Sequence, residues 1–465
     1  MGCSSSADLE EKFLRNLPDE VDSPQKKVHI NNNQPEDKDK SKYNNNSNNN
    51  LSIKAKHEEY NNNLKDKDIS SEIEKENLKI KSLEEDKIEK RENNIPISIK
   101  DSNKTKLEEL EESIVIGLRN VGATCYMNAT LQSFSNTNKL TEYFLKEYKY
   151  DPNDNKKIMS NEYYKVVKNL WDIKNNHKSY APYEFKEKLS KENPLFAGIV
   201  ANDSKDLINF LLQAFHSELN VIIKNNNYNE NDFIVTSNEQ LDENKMLDIF
   251  KKDLEVNYNS VISKYFHGII ETKCQCLNCK KMKYNFQVIS FIEFPLEDIN
   301  CYCFNKGLRK NIDPKENKNP DVDLYECFDY YNKMELMSGD NQIYCNICNC
   351  LSNGLYGTQL YSVPEYLIII LNRGRNARYE FKVNFPEQLD LSNFVTMKDK
   401  NSILELYSVI CHIGPSSMSG HFVAYCKNRV DKRWYLYNDD FVTLCEYPDD
   451  YQNKMPYILF YQTKS

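Results

Sequence analysis

Apolar positions are sparse and irregular up to about residue 113, and they become dense and regularly spaced beyond it. At 203–219 they recur three and four positions apart, which predicts an amphipathic helix. The segments 125–147 and 159–176 are also predicted to be helices. After about residue 268, short apolar runs predict strands. The clearest runs are 282–295, 366–371, 406–413, 421–427, 433–437 and 456–461. Helices followed by strands indicate an α+β fold.

The first 113 residues differ from the rest in composition. They hold 3 of the 54 aromatic residues and 46 charged residues, of which 26 are acidic and 20 basic. A segment this poor in aromatic side chains cannot bury enough apolar surface to offset its conformational entropy, so we expect residues 1–113 to be a disordered tether. The globular part is then 114–465, in which the polar stretches 221–245 and 304–322 are expected to be surface insertions.

Charge and hydropathy exclude several classes of protein. The chain carries a net charge of −9, and the tether accounts for −6 of it (20 − 26), so the globular part is close to neutral. A near-neutral domain argues against nucleic acid as a partner. The chain has no run of 18 apolar residues, so no transmembrane helix is predicted. It has no apolar segment near its start, so no secretory signal is predicted. We therefore expect the 14 cysteines to lie in a reducing compartment, as metal ligands or nucleophiles rather than disulfides.

The chain begins MGCSSS, which fits the N-myristoylation pattern at Gly2. Cys3 directly follows the acceptor glycine and is a candidate for palmitoylation. One acyl chain gives marginal membrane binding and two give stable anchoring. We therefore expect a cytoplasmic protein held at the cytosolic face of a membrane. The alternative is a chance run of small residues.

Four cysteines form two C-x-x-C pairs, which are Cys276 with Cys279 and Cys345 with Cys348. Each pair can direct both sulfur atoms at one ion, and four thiolates suit a structural zinc ion with a closed coordination sphere. The alternative is four unliganded, buried cysteines. Cys274 and Cys350 flank the pairs, so the spacing leaves open which four would bind the metal.

One cysteine stands where a nucleophile would be activated. Cys125 follows a glycine-containing loop and precedes a predicted helix, and the positive end of a helix dipole favours a thiolate. Asn120 lies five residues upstream and can offer a side-chain N–H to an oxyanion. On this segment alone, a merely buried cysteine at a helix start explains the pattern equally well.

A general base is also available in the chain. His421 ends a loop and opens an apolar strand, and Asn438 ends the next strand 17 residues later. Two adjacent strands would bring Asn438 to His421 and fix its tautomer, which gives a nucleophile, a base and an orienting group. His412 is a rival base, but its position within a predicted strand favours a structural role.

The segments around these residues resemble the motifs of the ubiquitin-specific proteases. GLRNVGATCYMNATLQ resembles their cysteine box, and LYSVICHIGPSSMSGHFVAYCK with RWYLYNDDFVT resembles their histidine box. FAGIVANDSKDLINFLLQAFH resembles the acidic helix motif. NSVISKYFHGIIETKCQCLNC and IYCNIC resemble the two halves of the zinc site. The resemblance runs in the family's order from about residue 115 to 462.

The resemblance implies a papain-like cysteine protease fold with palm, thumb and zinc-ribbon-like fingers subdomains, acting as a monomer. It implies a thiol-dependent deubiquitinase that binds ubiquitin and cuts after its C-terminal glycine. By this resemblance Cys125 is the nucleophile, His421 is the general base, and Asn438 is the third member, with Asp439 next to it. Asn120 is the oxyanion donor, and Asp203 and Asp206 bind the ubiquitin tail. An inactive, membrane-tethered ubiquitin-binding scaffold and a protease of a ubiquitin-like modifier remain alternatives.

Overall fold

The computed structural model describes eight stretches of the chain. They are 115–171, 178–223, 242–307, 321–373, 382–397, 402–416, 419–446 and 455–464. The predicted tether, with Gly2 and Cys3, lies outside the described residues, so the division of the chain at residue 113 stays a prediction. Among the described residues, no helix has the length and apolar character needed to cross a membrane.

Nine α-helices occur in the described stretches. They are α1 Cys125–Ser135, α2 Asn138–Glu142, α3 Ile158–Trp171, α4 Tyr183–Glu192, α5 Ser204–Leu219, α6 Glu243–Asn257, α7 Val261–Phe266, α8 Leu296–Asn305 and α9 Leu324–Tyr331.

The single helix predicted over 125–147 is wrong, because the structure breaks it after Ser135. Asn136 turns its side-chain amide back onto the carbonyl of Gln132 at 3.0 Å, and Thr137 adopts an extended conformation. Asparagine and threonine side chains compete with helical hydrogen bonds in this way. Two short elements, α2 and a π-helical turn over Tyr143–Glu147, follow the break.

Eighteen strands occur in the same described residues. They are β1 Gly117–Leu118, β2 Ser179–Tyr180, β3 Gly268–Cys276, β4 Met282–Ile289, β5 Ile292–Pro295, β6 Val322–Asp323, β7 Met334–Met337, β8 Ile343–Cys345, β9 Cys350–Ser352, β10 Gly354–Ser362, β11 Tyr366–Asn372, β12 Val383–Asn384, β13 Gln388–Asp390, β14 Ile403–Ser416, β15 Ser419–Lys427, β16 Trp434–Asn438, β17 Phe441–Cys445 and β18 Met455–Thr463.

The largest sheet runs in the order β17-β16-β15-β14-β18-β11-β5, with β13 pairing with β14. All of its pairs are antiparallel except that of β5 with β11. Helices α1, α3, α5 and α7 cover one face of this sheet, and α8 and α9 cover the other. Helices packed on an antiparallel sheet make this an α+β fold, as predicted.

Strand β11 shows why the sheet must be covered on both faces. Six consecutive residues, 366–371, are buried. Ile368 and Ile370 enter the core that contains α1, whereas Leu367 and Ile369 enter the core that contains α8. Burying one such aliphatic side chain stabilises the fold by about 1.5–3 kcal/mol. The uninterrupted apolar run in the sequence therefore reflects a central strand with no solvent-facing side.

A second sheet, in the order β4-β3-β10-β7, carries the first cysteine pair at the turn between β3 and β4, and the second pair lies in the separate hairpin of β8 and β9. The strand predicted over 282–295 divides after Ile289, because β4 pairs with β3 in this sheet and β5 joins β11 in the main sheet. One apolar run thus serves two sheets. Of the predicted surface insertions, residues 224–241 and 308–320 lie outside the described residues.

Candidate active site

Cys125 is the first residue of α1 and is 6% exposed. The loop before it turns sharply, with φ of +119° at Gly122 and +50° at Ala123, which places both in the left-handed region. Thr124 fixes the end of this loop by accepting a hydrogen bond from the Val121 N–H at 2.9 Å. The first N–H groups of a helix have no intrahelical partner, so this geometry directs donors and the positive end of the dipole at the thiol.

His421 lies on β15, and Asn438 is the last residue of β16. The two strands pair with Ala424 opposite Tyr437, and this register brings His421 Nε2 to 2.6 Å from Asn438 Oδ1. An amide oxygen only accepts, so Nε2 carries the hydrogen, and the other ring nitrogen is left for the thiol. The structure therefore brings together Cys125, His421 and Asn438, which are far apart in sequence.

The surroundings of His421 raise its pKa to about 9. Burial by itself would lower this pKa, because it disfavours the charged ring. The hydrogen bond to Cys125 and the charge of that group outweigh burial. The hydrogen bond to Asn438 and the charge of Asp439 act in the same direction. The arrangement favours a protonated imidazole beside the sulfur.

Asp439 influences His421 through its charge, while its hydrogen bonds go to other residues. Its Oδ2 accepts from Asn120 Nδ2 at 3.0 Å, and its Oδ1 accepts from Asn128 Nδ2 at 2.8 Å. Its backbone has φ of +50°, and its carbonyl accepts from the Leu118 N–H at 2.8 Å. Asp439 therefore links the loop before Cys125 to the turn after Asn438.

His412, the rival base, is half-buried within β14 and stacks edge-on against Phe422, with ring centroids 4.8 Å apart. Burial lowers the pKa of His412, and the charge of His421 adds to this effect. A side chain at Gly420 would meet the His412 ring, since its Cβ would lie 2.3 Å from Nε2. His412 thus fills the space beside the glycine that precedes His421.

The two predicted substrate-binding aspartates lie at the start of α5. Asp203 caps this helix by accepting from the Lys205 N–H at 2.8 Å, and its other oxygen accepts from the Tyr457 hydroxyl at 2.7 Å. Burial and the charge of Asp203 raise the pKa of Asp206, although Lys205 opposes them. Next to them, Ser204 donates to the carbonyl of Tyr126 at 3.2 Å, so this helix start is joined to α1 directly after the nucleophile.

The four predicted metal ligands form one cluster, with all sulfur atoms within 4.8 Å of one another; they are Cys276, Cys279, Cys345 and Cys348. Two of the sulfur–sulfur distances are 3.9 Å and 3.6 Å. Sulfur ligands about 2.3 Å from a tetrahedral ion are separated by about 3.8 Å, so the cluster fits a four-coordinate metal. Both turns place the next residue, Lys280 or Asn349, at positive φ. Cys350 is exposed instead, with its sulfur 3.6 Å from the Ser352 hydroxyl.

Three polar residues of this region are not among those predicted from the sequence, and they are Asn128, Glu293 and Tyr457. Glu293 accepts from Lys205 at 3.2 Å and from Asn372 at 2.6 Å, so it adds a third carboxylate near Asp206. Asn128 gave no signal of its own, because it is one of several polar residues on a helix whose burial only the structure shows. Glu293 and Tyr457 lie on distant strands, and only the fold brings them to α5.

Comparison with known proteins gives one family and several relatives. The family model described as ubiquitin carboxyl-terminal hydrolase matches residues 116–461. Ubiquitin carboxyl-terminal hydrolase 2 of Bos taurus is 27% identical over 360 residues, which cover 75% of this chain and 55% of that protein. The protein of the same name from Gallus gallus is 28% identical over 359 residues, which cover 75% of this chain and 93% of that protein. The chain thus spans about half the length of the mammalian relatives it matches.

A solved structure shares the fold. It is the SAGA Ubp8/Sgf11/Sus1/Sgf73 deubiquitinating module bound to ubiquitin aldehyde, with a TM-score of 0.53 and 19% identity. The match covers 76% of this chain and 70% of the other chain. It supports the predicted papain-like architecture, in which the main sheet and its helices form the palm and thumb and the second sheet forms the fingers.

The raised pKa of His421 leads to a prediction about its titration. In the wild type, the ring should titrate with a pKa of about 9. In Cys125→Ala the pKa of the ring should be lower, because the hydrogen bond and charge of Cys125, which oppose the effect of burial, are gone. Ring chemical shifts measured by NMR against pH would show the change.

His216 is a suitable control, since it is half-buried in the last turn of α5 and should titrate alike in both proteins. Because the folded pKa of His421 exceeds its unfolded value of about 6.5, its contribution to stability is complete below pH 6.5 and is lost as the pH rises through about 9. Equal titration of His421 with and without the thiol would contradict the prediction.

Proposed function

The chain belongs to the ubiquitin carboxyl-terminal hydrolase family, and on that premise we propose that it is a thiol-dependent deubiquitinase. It hydrolyses the peptide or isopeptide bond after the C-terminal glycine of ubiquitin. The observation that carries the proposal is the meeting of Cys125, at the start of α1, with His421 and Asn438. The His421 ring makes a 2.6 Å hydrogen bond to the Asn438 amide oxygen. A nucleophile, a base and an orienting group in this order are what acyl transfer requires.

In the proposed reaction, the Cys125 sulfur attacks the glycine carbonyl and forms a C–S bond. His421 holds the proton and delivers it to the departing lysine amine as the C–N bond breaks. Asn438 keeps the ring in the tautomer that allows this transfer. Water then attacks the thioester, His421 accepts a proton from it, and the thiol and the free carboxyl end of ubiquitin are released.

Asn120 is suited to stabilise the oxyanion of the intermediate. Its Oδ1 accepts from the N–H groups of Gly122 and Thr124 at 3.1 and 3.0 Å, which fixes the amide plane. One hydrogen of its Nδ2 is bound to Asp439, and the second has no acceptor among the residues that the structure describes. A preoriented donor of this kind costs no reorganisation when charge develops.

The carboxylates at the start of α5 are suited to bind a basic peptide tail, as the resemblance implies for Asp203 and Asp206. Burial and neighbouring negative charge raise the pKa of Asp206. An arriving guanidinium would relieve this repulsion and form charge-assisted hydrogen bonds with the carboxylates. The joint between Ser204 and Tyr126 places this region beside the nucleophile.

We also propose that the four-cysteine cluster holds one structural zinc ion. Its supports are the all-sulfur donor set, the spacing of the sulfur atoms and the paired turns. Four thiolates leave no open coordination position, so the ion would stabilise the fingers and take no part in the reaction.

If Met1 is the translation start, we further propose that the chain is held at the cytosolic face of a membrane. The support is the sequence alone, in which Gly2 and Cys3 fit a site of dual acylation. A tether of about 90 disordered residues would give the enzyme a root-mean-square reach of roughly 50–60 Å from the surface.

The proposed activity predicts that Cys125→Ala abolishes cleavage of ubiquitin conjugates and retains ubiquitin binding. Ubiquitin carrying a C-terminal vinyl sulfone should label the wild type at Cys125 and should not label the variant, because only the thiolate adds to the electrophile. Mass spectrometry of the adduct identifies the labelled residue.

Cys301→Ala is a matched control, since this thiol is exposed and lies on α8, which covers the face of the main sheet opposite to α1. It should label like the wild type. Ubiquitin binding without labelling would instead indicate a scaffold, and labelling only by probes of ubiquitin-like modifiers would indicate a different protease. Either result would overturn the proposal.

The zinc proposal predicts about one zinc ion per purified chain, measured by atomic emission. Cys348→Ser should remove most of the zinc and lower the melting temperature, because the ion no longer joins the two halves of the site. Cys350 lies two residues away, outside the cluster, so Cys350→Ser should keep both the zinc content and the melting temperature of the wild type. A metal-free wild type whose melting temperature is insensitive to a chelator would contradict this proposal.

The membrane proposal predicts a graded series in cell fractionation. The wild type should sediment with membranes, Cys3→Ala should do so weakly, and Gly2→Ala should remain in the supernatant. The reason is that two acyl chains anchor stably and one anchors marginally. Identical partitioning of the wild type and Gly2→Ala would contradict the membrane proposal.

A further inference from the structure

Asn128 has a position in the site that the reaction described above does not use. It lies one turn after Cys125 on α1 and is 2% exposed. Its Nδ2 donates to the Leu118 carbonyl at 2.9 Å and to Asp439 Oδ1 at 2.8 Å. An amide nitrogen has two hydrogens, so both are engaged. One side chain of the nucleophile's helix therefore holds two other segments of the chain.

These two segments are also bound to each other. The Leu118 N–H donates to the Asp439 carbonyl at 2.8 Å, so strand β1 and the turn after β16 are fixed side by side. They approach closely, since a Cβ at Gly117 would lie 2.4 Å from the Asp440 carbonyl oxygen. Asn128 thus anchors a compact joint in which no bulkier residue fits at Gly117.

The joint ends at the oxyanion donor. Asp439 accepts from Asn128 on Oδ1 and from Asn120 on Oδ2, so its carboxylate connects the two amides. If Asn128 is removed, the carboxylate loses one of the two donors that orient it. The Asn120 amide donates from Nδ2 to the same carboxylate, so its orientation is then less firmly fixed.

We propose that Asn128 is a positioning residue for the reaction, which acts through Asp439 on the Asn120 amide. The inference rests on the proposed function, because it assigns Asn120 the task of binding the oxyanion. Asn128 itself touches neither substrate nor the reacting atoms. Its effect should therefore appear where charge develops on the carbonyl oxygen and not where ubiquitin is first bound.

The experiment compares turnover with two kinds of binding in the full-length chain. Asn128→Ala should lower kcat for ubiquitin conjugates by about 10-fold to 100-fold and change KM by less than about 3-fold. Affinity for ubiquitin aldehyde, which forms a tetrahedral adduct with the thiol, should fall with kcat. Affinity for unmodified ubiquitin should stay the same.

A double-mutant cycle tests whether the effect passes through Asn120. In an Asn120→Ala background, Asn128→Ala should lower kcat by less than about a further 3-fold, because the donor that it positions is already absent. Multiplying effects in the double variant would show that Asn128 acts by another route, and this would overturn the inference.

Asn136→Ala is the matched control for stability. Asn136 is also 2% exposed, follows the last residue of the same helix, donates to the Gln132 carbonyl at 3.0 Å, and, like Asn128, has a buried Oδ1 without a partner in the described residues. It lies three turns away from the nucleophile. It should lower the melting temperature and leave kcat within about 3-fold of the wild type.

The outcomes separate this inference from the proposed function. A wild type that neither cleaves ubiquitin conjugates nor binds ubiquitin aldehyde would refute the deubiquitinase proposal itself. An active wild type with unchanged kcat in Asn128→Ala, or with equal losses of ubiquitin and ubiquitin aldehyde binding, would refute only the role of Asn128. Should Asn128→Ala fail to fold, Asn128→Ser can be measured in its place.

Discussion

The pairing of β15 with β16 is the constraint on which the site depends. His421 and Asn438 are 17 residues apart in sequence, and the register of Ala424 opposite Tyr437 brings their side chains to 2.6 Å. A slip of one residue would send one of the two side chains to the opposite face of the sheet. The tautomer of the base is therefore set by backbone pairing across the sheet, and α1 has only to present the thiol to a ring that is already oriented.

Much of this arrangement could be predicted from the sequence, because the relevant signals are local. The apolar run of β11 predicts a buried strand, and the glycine-containing loop before Cys125 predicts a helix start. The placement of His421 and Asn438 on neighbouring strands follows from short strands that succeed one another along the chain. Predictions of this kind need only the period of the pattern and the chemistry of turns.

Other features could not be predicted, because tertiary contacts decide them. The break after Ser135 depends on an asparagine that turns back onto its own helix, and the division of β4 from β5 depends on two sheets competing for one apolar run. The spacing of cysteines leaves six candidates for four ligand positions, and only the meeting of two turns selects among them. The carboxylate of Glu293 is brought to α5 by a strand some 90 residues further along.

The cysteine cluster has a consequence for how the chain tolerates change. Cys279 and Cys345 are 66 residues apart, so a bound ion would close a loop that contains β4, α8 and α9. The entropy of closing a loop grows only with the logarithm of its length, and doubling the length adds about 0.6 kcal/mol. The polar stretch around 308–320 lies inside this loop. Insertions there could lengthen the chain at little energetic cost, so this is a place where the domain can acquire new surface without loosening its fingers.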